Sequence, residues 1–245
     1  MPKIHPLRAC HSLFADSGDE CLNQTDKPMT PFEVLRQHAL AHPDAIAAST
    51  PYRVASYRKM WSRIERSTAR LQCEWAIRPG DTIAYFGHGH LDALVMYFAA
   101  ARCGARVLPL EHAHLQQRAA HWLATSAATL VLHDDSIALG GGQFTVPCKP
   151  LSSLIATICH HRGSVLEDSA AVSLLEFPEP GLADAGSGSE PLELRQRTLD
   201  HLAAIALSCP AGHHGVSAAL FDPAVFAPVV LATLLAGATL TFGVS

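Results

Sequence analysis

Residues 78–111 read RPGDTIAYFGHGHLDALVMYFAAARCGARVLPLE, and this stretch decides the fold. Arg78-Pro79-Gly80-Asp81 is a turn by composition, since Pro presets one backbone angle and Gly supplies a positive φ that other residues resist. Residues 82–86, TIAYF, form an apolar run of strand length, and residues 91–103 form one of helix length. Gly104 stands where a helix stops in the left-handed conformation, and residues 106–109 make a second strand. A strand, a helix and a strand joined by short links cannot close as a hairpin. The two strands therefore run parallel in one sheet with the helix on its face.

Upstream, Thr30-Pro31-Phe32-Glu33 combines a capping hydroxyl, Pro in the first helical position and Glu three residues after the cap. A helix starts there and stops by Pro43, and residues 45–48 form a short apolar piece. Ser56 caps a second helix whose apolar positions Met60, Ile64, Leu71 and Trp75 face inward, with Arg and Glu on the wet side. Downstream, a helix through Trp122 leads to a strand at residues 129–133. Helices and strands that alternate in this way predict a parallel sheet covered on both faces.

A loop at residues 136–150, with Gly140-Gly141-Gly142 near its start, divides the chain. Residues 1–29 read as a disordered arm, 30–135 as a first α/β lobe and 151–245 as a second. In the second lobe, 171–177 and 216–220 read as strands and 192–207 as helical, with a Gly-, Pro- and Ser-rich stretch at 178–191. Residues 223–245 carry no charge, and about 20 apolar residues can span a bilayer. Pro228, Gly237 and the Thr-containing pattern at 238–242 instead describe a short buried helix, a glycine stop and a buried strand, so no membrane span is expected.

The chain has 245 residues, enough for a full core, and 49% of them are apolar against 16% charged, which excludes a disordered protein. Lys plus Arg number 18 and Asp plus Glu 22, a net charge of −4, so nucleic acid is not an expected partner. Seven scattered Cys without a C-x-x-C pair indicate neither a disulfide framework nor a zinc ribbon, and a reducing cytoplasm fits best.

The order of these pieces resembles the adenylate-forming enzymes: acyl-CoA synthetases, nonribosomal-peptide adenylation domains and luciferases. TPFEVLRQHALAHPDAIA resembles that family's opening helix and first strand, VASYRKMWSRIERSTARLQ its "T-Y-x-E-L" helix, and residues 78–111 its run from "G-D-x-V" to "A-G-A-x-x-x-P-L". The resemblance implies two parallel-sheet α/β lobes like the N-terminal half of the family's large domain, with the second lobe incomplete and the chain truncated relative to the family.

The family wraps ATP phosphates with a loop of the form T-S-G-[ST]-T-G-x-P-K-G. Here the counterpart is Asp184-Ala185-Gly186-Ser187-Gly188-Ser189-Glu190-Pro191-Leu192-Glu193. The resemblance assigns any remaining phosphate contact to Gly186, Ser187, Gly188 and Ser189. Leu192 stands where the Lys belongs, Asp184 where a Thr belongs and Glu193 where a Gly belongs. Later, Ala219-Leu220-Phe221-Asp222 matches the family's "P-L-F-H", with Asp222 in the place of His, and "L-L-A-G-A-T" follows. The implied reading is an AMP-dependent ligase-like chain that does not adenylate alone, binds no cofactor, and serves acyl- or aryl-chain biosynthesis as an accessory or interaction protein. The alternative is half of a split acyl-acid ligase completed by a partner chain, using ATP and Mg. In either case an apolar C-terminal strand at 238–242 would sit at an open sheet edge and favour a protein partner or self-association.

Other patterns carry less. The fifteen His include close pairs at His88/His90, His112/His114, His160-His161 and His213-His214, but no second pair stands at ligand spacing, so no metal site is expected. Gly87-His88-Gly89 is half of a dinucleotide fingerprint, with Asp92 in the third glycine's place. Ser187 lies in G-S-G-S rather than a nucleophile elbow, and Trp61, Trp75 and Trp122 sit on helix patterns as packing residues.

Overall fold

The computed structural model describes residues 29–112, 116–137, 139, 144–156, 170–177, 194–210, 214–216 and 219–243. Thr30 starts the first helix as its sequence dictates. Its Oγ1 accepts the Glu33 N–H at 3.2 Å while Glu33 Oε2 accepts the Thr30 N–H at 2.7 Å, closing a capping box on α1 (Pro31–Ala41). Strands β1 (Ile46–Ser49) and β2 (Val54–Ser56) form an antiparallel hairpin. Ser56 then caps α2 (Tyr57–Ala69) through its hydroxyl, and α2 widens into a π turn at Arg70–Glu74.

The central unit is β3 (Thr82–Phe86), α3 (Leu91–Arg102) and β4 (Arg106–Leu110), with β3 and β4 parallel over five residue pairs. Gly104 ends α3 at φ +69°. After α4 (Ala119–Thr125) come β5 (Ala128–His133), β6 (Cys148–Pro150), α5 (Leu151–Ile155), β7 (Val172–Glu176) and β8 (Arg195–Thr198). The chain continues through α6 (Leu199–Leu207), β9 (His214–Val216), a π turn at Phe226–Leu231, α7 (Ala232–Leu235) and β10 (Leu240–Phe242).

Two sheets result. The first has the order β6-β5-β3-β4-β7-β8 and is parallel except for β8. The second has the order β2-β1-β10-β9 and is parallel except for β2. Alternation along β3 shows why the centre of the larger sheet is apolar on both faces: Ile83 and Tyr85 enter one core, while Ala84 and Phe86 enter another with Leu108, Trp122 and Val131.

Several expectations are corrected. Residues 192–207 are not one helix. Residues 195–198 pair antiparallel with β7, and the helix begins only where the Thr198 hydroxyl accepts the His201 N–H at 3.1 Å. The strand is locked by Arg197 Nε donating to Glu176 Oε2 at 2.7 Å, a carboxylate whose side chain is 5% exposed. The strand expected at 216–220 ends at Val216, and Leu220 and Phe221 lie in a turn. Residues 148–150, expected in a loop, pair as β6 with β5.

The C-terminal strand is not a sheet edge. β10 lies between β1 and β9, hydrogen-bonded to both, with Leu240 and Phe242 buried. β1 and β2 precede residue 57 yet share a sheet with β9 and β10, so the sequence division at 136–150 does not coincide with the division into sheets. Among the described residues no helix is long and apolar enough to cross a membrane. Pro228 helps to break the uncharged run: the Val229 and Val230 N–H groups both reach the Val225 carbonyl at 3.0 Å, widening the turn around a residue that has no N–H. Residues 1–28 of the expected arm lie outside the described residues.

Candidate functional site

The ends of β3, β4 and β5 meet at three polar side chains. Asp134, the residue after β5, accepts the His88 N–H at 2.7 Å on Oδ2 and His90 Nε2 at 2.7 Å on Oδ1. The Tyr85 hydroxyl lies 2.8 Å from both Asp134 Oδ1 and the His88 carbonyl oxygen. Burial alone would raise the Asp134 pKa, but hydrogen bonds from His90, the His88 N–H and Tyr85 outweigh it and hold the carboxyl below its usual range. Tyr85 moves the other way: burial, then the charge of Asp134, pushes its hydroxyl far above the ordinary tyrosine value.

His90 is the N-cap of α3, its Nδ1 accepting the Asp92 N–H at 3.2 Å. That bond puts the ring proton on Nε2, where it is donated to Asp134. Both nitrogens are thus spent on structure, and His90 orients the loop rather than serving as a base. The glycines of the half fingerprint have the same explanation. A Cβ on Gly87 would sit 2.5 Å from Asp134 Oδ2, and one on Gly89 would sit 2.7 Å from the Leu220 nitrogen. They permit close packing of the loop, with no need for a bound pyrophosphate.

Glu111, the residue after β4, reaches a turn more than 100 positions away. Its Oε1 accepts the Leu220 N–H at 3.0 Å and its Oε2 accepts the Phe221 N–H at 2.8 Å. Burial pushes its pKa up to about 7, the two N–H donors pull it down, and the charges of Asp134 and Asp222 add to the rise. Asp222 caps the following turn, its Oδ1 accepting the Ala224 N–H at 2.8 Å.

Beside this cluster opens a cleft of about 720 Å³ between the β1–β2 turn, the loop before α3, the end of β5 and the end of β10. Clefts at the carboxyl ends of parallel strands are the usual ligand sites of such folds. Arg53 stands on its wall, 2.9 Å from Asp92 Oδ1, which Arg63 also approaches at 3.3 Å. Asp135 accepts the Ser152 hydroxyl at 2.7 Å. The exposed His88 ring places Nδ1 3.5 Å from Asp134 Oδ2. The described lining carries three carboxylates, Asp92, Asp134 and Asp135, and one guanidinium, Arg53; Asp92 is paired with Arg53 and Arg63, and Asp134 is occupied by its own donors.

The residues that the sequence resemblance assigns to phosphate, Gly186, Ser187, Gly188 and Ser189, lie outside the described residues, as do Asp184, Leu192 and Glu193. Of the histidine pairs, the structure brings His88 and His90 onto one carboxylate. Among the described residues no group of three or more His, Cys, Asp or Glu is placed to hold a metal ion. Sequence reasoning missed Tyr85, Glu111 and Asp134. The signal was present, because Glu111 and Asp134 are acids directly after apolar strands, at the strand ends where α/β sheets build sites.

Two mostly parallel sheets with helices on their faces, and polar residues gathered at strand ends, define a doubly wound α/β protein with its polar centre at the carboxyl edge. The chain belongs to the AMP-binding enzyme family, whose profile matches residues 35–205. It is 34% identical over 105 residues to phosphinothricin tripeptide synthetase PhsC of Streptomyces viridochromogenes, which covers 43% of this chain and 10% of that protein. It is 25% identical over 111 residues to a D-alanine–D-alanyl carrier protein ligase of Bacillus licheniformis, which covers 45% of this chain and 22% of that protein. In structure it is similar to unliganded O-succinylbenzoate coenzyme A synthetase (MenE) from Bacillus subtilis, with a TM-score of 0.70 at 15% identity over 86% of this chain and 43% of that one. It is likewise similar to the N-terminal subdomain of Klebsiella oxytoca NpsA, with a TM-score of 0.69 at 17% identity over 86% of this chain and 52% of that one. The chain thus spans less than a quarter of these curated relatives and about half of these solved chains.

Proposed function

We propose that this chain keeps the framework of an adenylate-forming enzyme without acid-activating chemistry of its own, and acts in the cytoplasm as an accessory or interaction protein beside an acyl- or aryl-chain ligase system. The observation that carries this reading is the stretch Asp184 to Glu193, where Leu192 stands in the place of the phosphate-binding Lys and three acids, Asp184, Glu190 and Glu193, surround the Gly-Ser core in sequence. A carboxylate about 4 Å from a phosphate charge costs on the order of 4 kcal/mol at an effective dielectric of 20. The test is calorimetry with Mg-ATP and with AMP, together with hydroxamate formation from carboxylic acids, ATP and hydroxylamine. Silence in all three from folded protein supports the reading, and hydroxamate from any acid overturns it.

The coverage figures favour a second reading. Most of the length of the curated relatives lies outside the region this chain matches, so ligase activity would need further polypeptide to supply the rest of the fold. Pyrophosphate exchange that appears only when a second polypeptide is added would select this reading.

A further inference from the structure

We propose that Glu111 is a proton-operated latch between the two sheets: ionised, it pins the turn at residues 219–222, and protonated, it lets go of one of the two N–H groups that it holds. Glu111 leaves the end of β4 in the six-stranded sheet, while the turn feeds the helical segment and β10 of the four-stranded sheet. Each carboxylate oxygen takes one N–H, from Leu220 at 3.0 Å and from Phe221 at 2.8 Å. An ionised carboxylate accepts on both oxygens, whereas a carboxylic acid presents one carbonyl oxygen and one hydroxyl whose own proton needs an acceptor. Protonation therefore leaves one N–H facing a hydroxyl, whose oxygen accepts more weakly than a carboxylate oxygen and whose proton competes for the same space.

The turn is a seam rather than a loose loop. Leu220 and Phe221 are buried, and the Phe221 ring packs against Tyr85 at 6.3 Å and Phe226 at 5.2 Å between centroids. Aromatic packing holds the side chains in either state, so the proton acts on the backbone of the turn. Among the described residues, the titratable groups around Glu111 are Tyr85 from β3, Asp134 from the end of β5 and Asp222 from the turn itself. His90 and His88 stand beyond Asp134, and His112 follows in sequence. Tyr85 stays protonated and Asp134 is held in its charged form by its own donors, which leaves Glu111 as the carboxyl of this cluster whose protonation burial favours. With its carboxyl raised to about 7, both states are populated near neutrality.

The test is an NMR titration of the whole chain from about pH 5 to 9, following the Leu220 and Phe221 amides and the Glu111 side-chain carboxyl carbon. The expected result is a common midpoint near 7 that vanishes from both amides in Glu111→Gln. Amides that do not titrate, or that titrate unchanged in Glu111→Gln because a histidine drives them, overturn the proposal. Should that variant fail to fold, the wild-type carboxyl carbon decides: a midpoint above about pH 6 supports the latch, and one at or below it overturns it.

Discussion

Asp134 and His90, 44 residues apart in sequence, meet at 2.7 Å, and through that contact the end of β5 fixes both the loop after β3 and the cap of α3. The carboxylate gathers donors from His88, His90 and Tyr85, so removing it orphans several polar groups at once. Asp134→Ala is expected to cost on the order of 3 kcal/mol, read as a lower midpoint in urea with an unchanged slope. His88→Ala, whose side chain is 69% exposed, should stay within about 0.5 kcal/mol of wild type. Equal losses in the two variants would remove Asp134 from its place as the anchor.

The pH profile of stability should carry two opposed contributions. Asp134 has a lowered folded pKa, so its contribution is present above its unfolded value near 3.9 and is lost as pH falls through the folded one. Glu111 has a folded pKa raised to about 7, so its contribution is full below the unfolded value near 4.3 and is lost as pH rises through 7. Between about pH 5 and 8 stability should therefore fall by on the order of 2 kcal/mol, measured by denaturant unfolding. Glu111→Gln should flatten this slope, and a profile that rises over the interval would contradict the assignment.

Gly89 has no room for a side chain, since a Cβ there would lie 2.6 Å from Leu220 Cβ and 2.7 Å from its nitrogen. Gly89→Ala must push the loop away from the turn that Glu111 holds, at a cost of about 1–3 kcal/mol. Thermal unfolding should show a drop of several degrees, and an unshifted transition would mean that the loop yields freely.

The fold was legible where local signals agreed with burial. The Thr30 and Ser56 hydroxyls cap the helices that their spacing announces, and TIAYF is a strand because both its faces are covered. Residues 195–198 misled because Leu192, Leu199 and Leu202 stand seven and three positions apart, a helical spacing, while the pairing of Arg197 with Glu176 that makes a strand spans 21 positions. The site was hidden for the same reason. Tyr85, Glu111 and Asp134 belong to three strands that become neighbours only through the order β5-β3-β4, which no local pattern states.

Arg70 offers a test of how α2 is joined to α5. Its buried guanidinium donates from Nη1 toward the carbonyls of Ser153, Leu154 and Ala156 at 2.9 to 3.1 Å, and Nε pairs with Glu74 at 3.0 Å. One cation thus gathers three carbonyls from around the end of a five-residue helix, where the last carbonyls lack partners within the helix itself. Arg70→Met keeps the stem but orphans those carbonyls, with an expected loss of about 2–4 kcal/mol. Arg70→Lys keeps the charge but offers one ammonium where two guanidinium nitrogens serve the carbonyls and Glu74 separately, and it should recover less than half of the loss. Full recovery by Lys would assign the stabilisation to charge alone.

Asp184, Leu192 and Glu193 stand at the positions where the family's phosphate loop has a Thr, the Lys and a Gly. If Asp184, Leu192 and Glu193 are what abolish phosphate binding, then Asp184→Thr, Leu192→Lys and Glu193→Gly together should restore it. The triple change takes away two negative charges and adds one positive, and each charge about 4 Å from a phosphate is worth on the order of several kcal/mol. Calorimetry should then show saturable heat with Mg-ATP for the variant and none for wild type. Leu192→Lys alone should fall between the two, because one added positive charge still leaves the three acids of the stretch, Asp184, Glu190 and Glu193, in place. Heat of equal size from wild type and triple variant would mean that phosphate is held elsewhere, and the case for a chain without acid-activating chemistry would fall with it.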